Sequence, residues 1–114
     1  ISNAKYMDKM LNSIDGIETL KRYRHLKEVF HLYQINVTNR DKLQKYLLKN
    51  KVDAKVHYPK PVHLQPAAKF LKYKKGDFPN AERIAKITLS LPVHEFITKK
   101  HIKYISTLIH KFYS

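Results

Sequence analysis

Pro59, Pro61 and Pro66 stand within the eleven residues Val56-His57-Tyr58-Pro59-Lys60-Pro61-Val62-His63-Leu64-Gln65-Pro66, and no regular helix or interior strand can run through them. Each proline locks its own φ and lacks an N–H, and each pushes the residue before it (Tyr58, Lys60, Gln65) toward an extended conformation. The stretch therefore reads as a stiff, extended arm with few backbone donors. Its side chains point in set directions and have little entropy to lose on binding. That suits a loop presenting His57, Tyr58, His63 or Gln65 to a ligand outside its own domain. The same stiffness suits a rigid crossover whose rings pack on the core. A metal site on His57 and His63 is the third reading, and no adjacent carboxylate or i,i+4 histidine pair supports it.

On either side of the arm the hydrophobic pattern is that of short helices and strands. Ala4, Met7, Leu11 and Ile14 recur at helical spacing, and Ser13-Ile14-Asp15-Gly16 ends that helix. Tyr33, Ile35 and Val37 alternate with Gln34 and Asn36, so residues 30–37 read as a strand. Thr38 or Asn39 is placed to cap a second helix with Leu43, Tyr46 and Leu47 on its apolar face and Asn50 at its end. Val52, Ala54 and Val56 alternate as a second strand that delivers the chain into the arm. Asp77 and Pro79 start a third helix, and Glu82 with Arg83 there forms a candidate local ion pair. Ile87, Leu89, Leu91 and Val93 make a third strand, ended by Pro92. Thr98 caps a last helix whose stripe is Ile102, Ile105, Leu108, Ile109 and Phe112. The expected fold is α/β of the α+β kind, a small, mainly antiparallel sheet of about three strands covered by helices.

The 114 residues are one domain's worth, and 43% hydrophobic and 11% aromatic content is enough for a globular core. No apolar run is long enough to span a membrane and no secretory signal opens the chain. With no cysteine there is no disulfide or thiolate metal site, which fits a reducing cytosol and a cytoplasmic location. The net charge of +14 can attract nucleic acid, phosphorylated substrates or an acidic partner. Nineteen of the 23 basic residues, however, are scattered lysines. Arginine, the better bidentate phosphate reader, stands only at 22, 24, 40 and 83. A basic binding module for nucleic acid or an acidic partner is thus the alternative reading, with nucleic acid not the favoured ligand. His25, His31, His101 and His110 read as surface or packing residues. There is no glycine-rich phosphate loop, no Gly-x-Ser-x-Gly elbow and no carboxylate pair placed for acid–base work. The chain opens on Ile1 directly into a helical pattern, which reads as a piece of something longer.

Several ordered motifs carry a resemblance. His57-Tyr58-Pro59-x-Pro61-x-His63-x-Gln65-Pro66 precedes Gly76-Asp77-Phe78-Pro79-x-Ala81-Glu82, and Leu89-Ser90-Leu91-Pro92-x-His94 follows before the closing amphipathic helix. Together with Phe30-His31-Leu32-Tyr33 and Asn3-Ala4-Lys5-Tyr6, this series resembles the C-terminal part of the DegT/DnrJ/StrS-type aminotransferases. The resemblance implies that residues 1–114 are the C-terminal small domain of a fold type I aminotransferase, with residues 1–14 the helix leading out of an absent large domain. It implies pyridoxal 5'-phosphate as cofactor, bound mainly by that large domain, and a homodimeric enzyme. It also implies an amino donor such as glutamate and a nucleotide-diphosphate ketosugar as acceptor. His57 and Tyr58 would then reach the sugar or diphosphate, with His63 and Gln65 supporting the arm or lining the cleft. Ser90 and His94 read first as structural positions. No segment matches the family's Schiff-base lysine, so no catalytic, cofactor-binding or metal-binding residue is assigned.

Overall fold

Ala4, Met7 and Leu11, spaced to share one helical face, are all buried along helix α1 (Ser2–Leu11). In this computed structural model, which describes residues 2–27, 29–30, 32–94 and 96–114, that face packs on the last helix, α4 (Lys99–Tyr113). Helix α4 buries Ile102, Ile105, Leu108 and Ile109, the stripe its pattern predicts. Each such side chain contributes roughly 1.5–3 kcal/mol of transfer free energy. Its start is fixed by a reciprocal cap. The Thr98 hydroxyl accepts from the His101 N–H at 3.2 Å, and the Thr98 N–H donates to His101 Nδ1 at 3.1 Å. The Thr98 cap is as expected, whereas His101 is a capping residue and not merely a surface one.

The chain leaves α1 through Gly16, whose φ of +93° and close quarters both demand glycine. A Cβ there would sit 2.9 Å from Thr38 Oγ1 and from the Tyr113 ring. Beyond it, β1 (Ile17–Thr19) pairs antiparallel with β2 (Tyr33–Val37), Ile17 opposite Val37. β2 pairs antiparallel with β3 (Thr88–Leu91), Tyr33 opposite Leu91, Gln34 opposite Ser90 and Ile35 opposite Leu89. The sheet order is β1-β2-β3. Helix α2 (Arg40–Lys49) packs against β3 and α4, and α3 (Pro79–Ile87) against β2. All four residues of β3 are buried. The core joins Met7, Leu11, Tyr33, Ile35, Leu43, Leu47, Leu89, Ile102 and Ile109, each fully enclosed. This is the α+β architecture expected, three antiparallel strands covered by helices.

The membership of the sheet differs from the sequence expectation. Val52 and Ala54 are buried as their alternation requires, but residues 52–56 form no strand. The Ala54 N–H turns back to the Val52 carbonyl at 2.9 Å, breaking the extended run after a tight turn. Only one bridge remains, in which Lys55 and Ser90 exchange backbone hydrogen bonds of 3.0 and 2.7 Å. The sheet's third strand is instead β1, at the opposite edge beside β2 and too short to show alternation. At its other end the strand expected from residue 30 starts at Tyr33, because Phe30 has φ +47°. His31 lies outside the described residues. Asn39 precedes α2 in a left-handed conformation with no side-chain capping bond. Tyr33, fully buried, donates its hydroxyl to Asp8 Oδ1 at 2.6 Å, and Arg22 holds the same carboxylate while lying over the Tyr33 ring. Burial, then the Asp8 hydrogen bond, push the Tyr33 hydroxyl's pKa far upward.

Candidate functional site

The arm leaves the sheet just after the Lys55–Ser90 bridge, and its first two rings part ways. Tyr58 is 67% exposed. His57 is half-buried, its Nδ1 3.0 Å from Ser90 Oγ and its carbonyl accepting from Gln34 Nε2 at 3.3 Å. The two rings meet edge to face with centroids 5.5 Å apart. Two open grooves flank this pair. One, of about 700 Å³, runs between His57 and Ser90 on one side and the His94–His101 corner on the other. The second, of about 630 Å³, is lined by Tyr58, Pro61, Val62, Phe78 and Ile84, and His57 stands on the rim of both.

Downstream, the arm is less extended than its prolines suggest. Pro61 and Gln65 hold extended angles (φ −63°, ψ 153° and φ −74°, ψ 146°), but 3₁₀ turns occupy Val62–Leu64 and Pro66–Leu71. Pro66 fits at the first position of its turn, where the missing N–H costs nothing. Stiffness comes from bracing. Gln65 Nε2 donates to the Lys60 carbonyl at 3.1 Å, closing a loop within the arm. His63 is buried against the Phe78 ring at 4.8 Å, and Phe78 in turn stacks edgewise on Tyr73.

Glu82 is the keystone of that brace. Its carboxylate accepts from the Gly76 N–H at 2.9 Å and from the Phe78 N–H at 3.2 Å. It lies 3.4 Å from His63 Nε2, longer than a good hydrogen bond. These amides, Gly76 first, hold the Glu82 carboxyl below the usual carboxylate range. His63 Nε2 has no other partner, the one buried side-chain polar atom so placed among the described residues. The carboxylate expected to pair with Arg83 lies instead against His63, nineteen residues away in sequence. A side chain at i+1 on a helix does not face its neighbour.

All four candidate residues meet at the second groove: His57 and Tyr58 stand at its rim, and His63 and Gln65 line it while also bracing the arm. Sequence reasoning undervalued Ser90 and Gln34. The signal was there in Leu89-Ser90-Leu91, a polar residue amid a run of β apolar ones. His94 is exposed on the rim of the larger groove. The fit to pyridoxal phosphate can be tested on the lysines. All nineteen are exposed, and the grooves have only Lys51, Lys55 and Lys60 at their edges. No lysine is held in a closed pocket of the kind that desolvates a reactive amine. The residues present do not fit the cofactor by themselves. Among the described residues there is no cluster of metal-ligating side chains, and no helix is long and apolar enough to cross a membrane.

Over 99 residues the chain is 38% identical to a pleiotropic regulatory protein of Geobacillus stearothermophilus, covering 87% of this chain and 27% of that one. Over 65 residues it is 40% identical to the dTDP-3-amino-3,4,6-trideoxy-alpha-D-glucose transaminase of Streptomyces venezuelae, covering 57% of this chain and 17% of that one. The crystal structure of S. venezuelae DesV in complex with a ketimine intermediate superposes with a TM-score of 0.93 at 26% identity, over 99% of this chain and 30% of that one. The chain thus spans roughly a quarter of the length of the curated relatives it matches. Residues 1–110 match the DegT/DnrJ/EryC1/StrS aminotransferase family as a whole, and the chain belongs to that family.

Proposed function

We propose that this chain is the C-terminal small domain of a pyridoxal-phosphate-dependent aminotransferase that moves an amino group, typically from glutamate, to a nucleotide-linked ketosugar. The reading includes a cytoplasmic homodimer whose large domain supplies the cofactor site, since no lysine or carboxylate set here fits that group. Membership of the family and the sugar-nucleotide name of the Streptomyces relative support it. The observation that carries it is the placement of Tyr58 and His57 at the head of a braced arm, Tyr58 exposed and His57 between two grooves.

When bound, pyridoxal phosphate supplies the electron sink for amino transfer. This chain's part is to bind and orient the acceptor. The Tyr58 hydroxyl can donate to a diphosphate oxygen without losing any bond within the chain, and an imidazole N–H of His57 can do the same. Contacts to a charged oxygen are roughly twice as strong as neutral ones. Because Gln65, His63 and Glu82 already hold the arm, little ordering cost falls on the substrate.

The test is kinetic, in a polypeptide that joins this chain to its cofactor-binding domain. His57→Ala and Tyr58→Phe are each expected to raise KM for the sugar nucleotide about tenfold, the loss of one charge-assisted hydrogen bond. The cofactor's absorbance should not change. Unchanged kinetics in both variants would remove the arm from substrate recognition.

A further inference from the structure

We infer that Ser90 is a positioning residue that sets the tautomer of His57, so that the imidazole faces its ligand through Nε2–H. The benefit to a ligand rests on the reading of the arm above; the tautomer does not.

Ser90 is 4% exposed in the middle of β3. Its backbone is spent on Lys55, to which the Ser90 N–H donates at 2.7 Å and from which its carbonyl accepts at 3.0 Å. Among the described residues its hydroxyl's hydrogen-bond partner is His57 Nδ1, at 3.0 Å. A buried hydroxyl needs an acceptor for its proton, and leaving that proton unpaired costs far more than a bond is worth. Were Nδ1 protonated, Ser90 Oγ could accept from it, but the serine proton would then lose the acceptor that the described residues place in its reach. With Nδ1 unprotonated, the serine donates and every proton is placed. The neutral ring then carries its proton on Nε2, on the edge away from β3.

The clamp is made by one rung of the sheet. Gln34 and Ser90 are directly opposed across β2 and β3, so their side chains project from the same face. Both reach His57, Ser90 at the ring and Gln34 at the carbonyl. The Lys55–Ser90 bridge two residues earlier fixes where His57 begins. A shift of one residue in the β2–β3 register would put the two side chains on opposite faces and break the clamp. The arrangement points a fixed N–H donor, rather than a basic nitrogen, at the grooves, which suits an anionic oxygen and not a proton to be abstracted.

Ring-nitrogen NMR of the protein labelled with ¹⁵N-histidine tests this at about pH 8.5, where an ordinary imidazole is neutral. The expected spectrum has a pyridine-type Nδ1 and a pyrrole-type Nε2 at His57, with the tautomer biased about tenfold beyond that of Ser90→Ala, the worth of one hydrogen bond. Ser90→Thr, which keeps the hydroxyl on a strand-favouring residue, should restore the wild-type pattern. A pyrrole-type Nδ1 in the wild type would overturn the inference, and so would nitrogen shifts in folded Ser90→Ala identical to the wild type. The wild-type spectrum alone decides if the alanine variant fails to fold. Inorganic diphosphate separates this inference from the arm's role. A shift at Nε2 supports the substrate contact. No shift, with Nδ1 still pyridine-type, overturns that contact and leaves the tautomer assignment supported.

Discussion

Arg40 is 8% exposed, and its guanidinium ends on backbone carbonyls, those of Ala85 and Thr88, 45 and 48 residues away. Ala85 lies in the last turn of α3, where carbonyls lack helical partners and a cation offsets the negative end of the dipole. Arg40 therefore joins α2 to the junction of α3 and β3, and it is unavailable to a phosphate. Arg40→Met keeps the apolar stem and strands both carbonyls. It should lower the unfolding free energy by roughly 2–6 kcal/mol, at about 1–3 kcal/mol for each of the two groups, read as a lower urea midpoint with an unchanged slope. At this scale the sequence is legible where a residue's chemistry is local. Tyr58, set beside Pro59 in a stretch too proline-rich for regular structure, is exposed at the head of the arm. The sequence is opaque where a polar group's partner is distant in the chain. Nothing beside Arg40, His63 or Ser90 in sequence announces Ala85, Glu82 or His57.

Elements were legible in proportion to their length. Helices α1 and α4 carry amphipathic stripes whose apolar residues are buried as expected, except that Phe112 is only half-buried and Ser106 is buried beside the α4 stripe. The three residues of β1 are too few to show a period, and residues 52–56 show the right period while only Lys55 joins the sheet. Alternation reports burial, and burial can be met by a turn as well as by a strand. The loop 72–78 is an element of another kind, ordered by one carboxylate. Glu82 takes the amides of Gly76 and Phe78 and lies against His63, and its pKa is lowered below 4.5 for those reasons. A carboxyl held low in the folded state contributes stability above its unfolded pKa, lost as the pH falls through the folded value. Hydrogen exchange at Gly76 and Phe78 should therefore lose protection, relative to core amides, as the pH is lowered from 6 through 4.5 and below. Glu82→Gln should show the weaker protection already at pH 6 and little further change on acidification. Equal protection of these amides in wild type and variant at pH 6 would deny Glu82 its role as keystone.

The radius of gyration is 15.4 Å, against about 13 Å for a compact domain of this length, so the fold leaves surface uncovered. Val29, Val62, Phe70 and Phe96 are each more than 70% exposed. The lysines behave differently. They are spread over all four α-helices and the loops and all are exposed, a solvated coat and not a single basic face. This separates the two ways the molecule could meet pyridoxal phosphate. A built site would put one amine in a water-poor pocket opposite a carboxylate, and that amine would react far ahead of the rest. Here no lysine has such a pocket, and Lys51, Lys55 and Lys60 at the groove edges are as exposed as the others. Mixed with the cofactor and reduced with borohydride, the isolated chain should carry label spread over many lysines, with no single position dominant in peptide maps. Label concentrated on one lysine, and competed away by a sugar nucleotide, would show that the reactive half of the site lies in this chain after all.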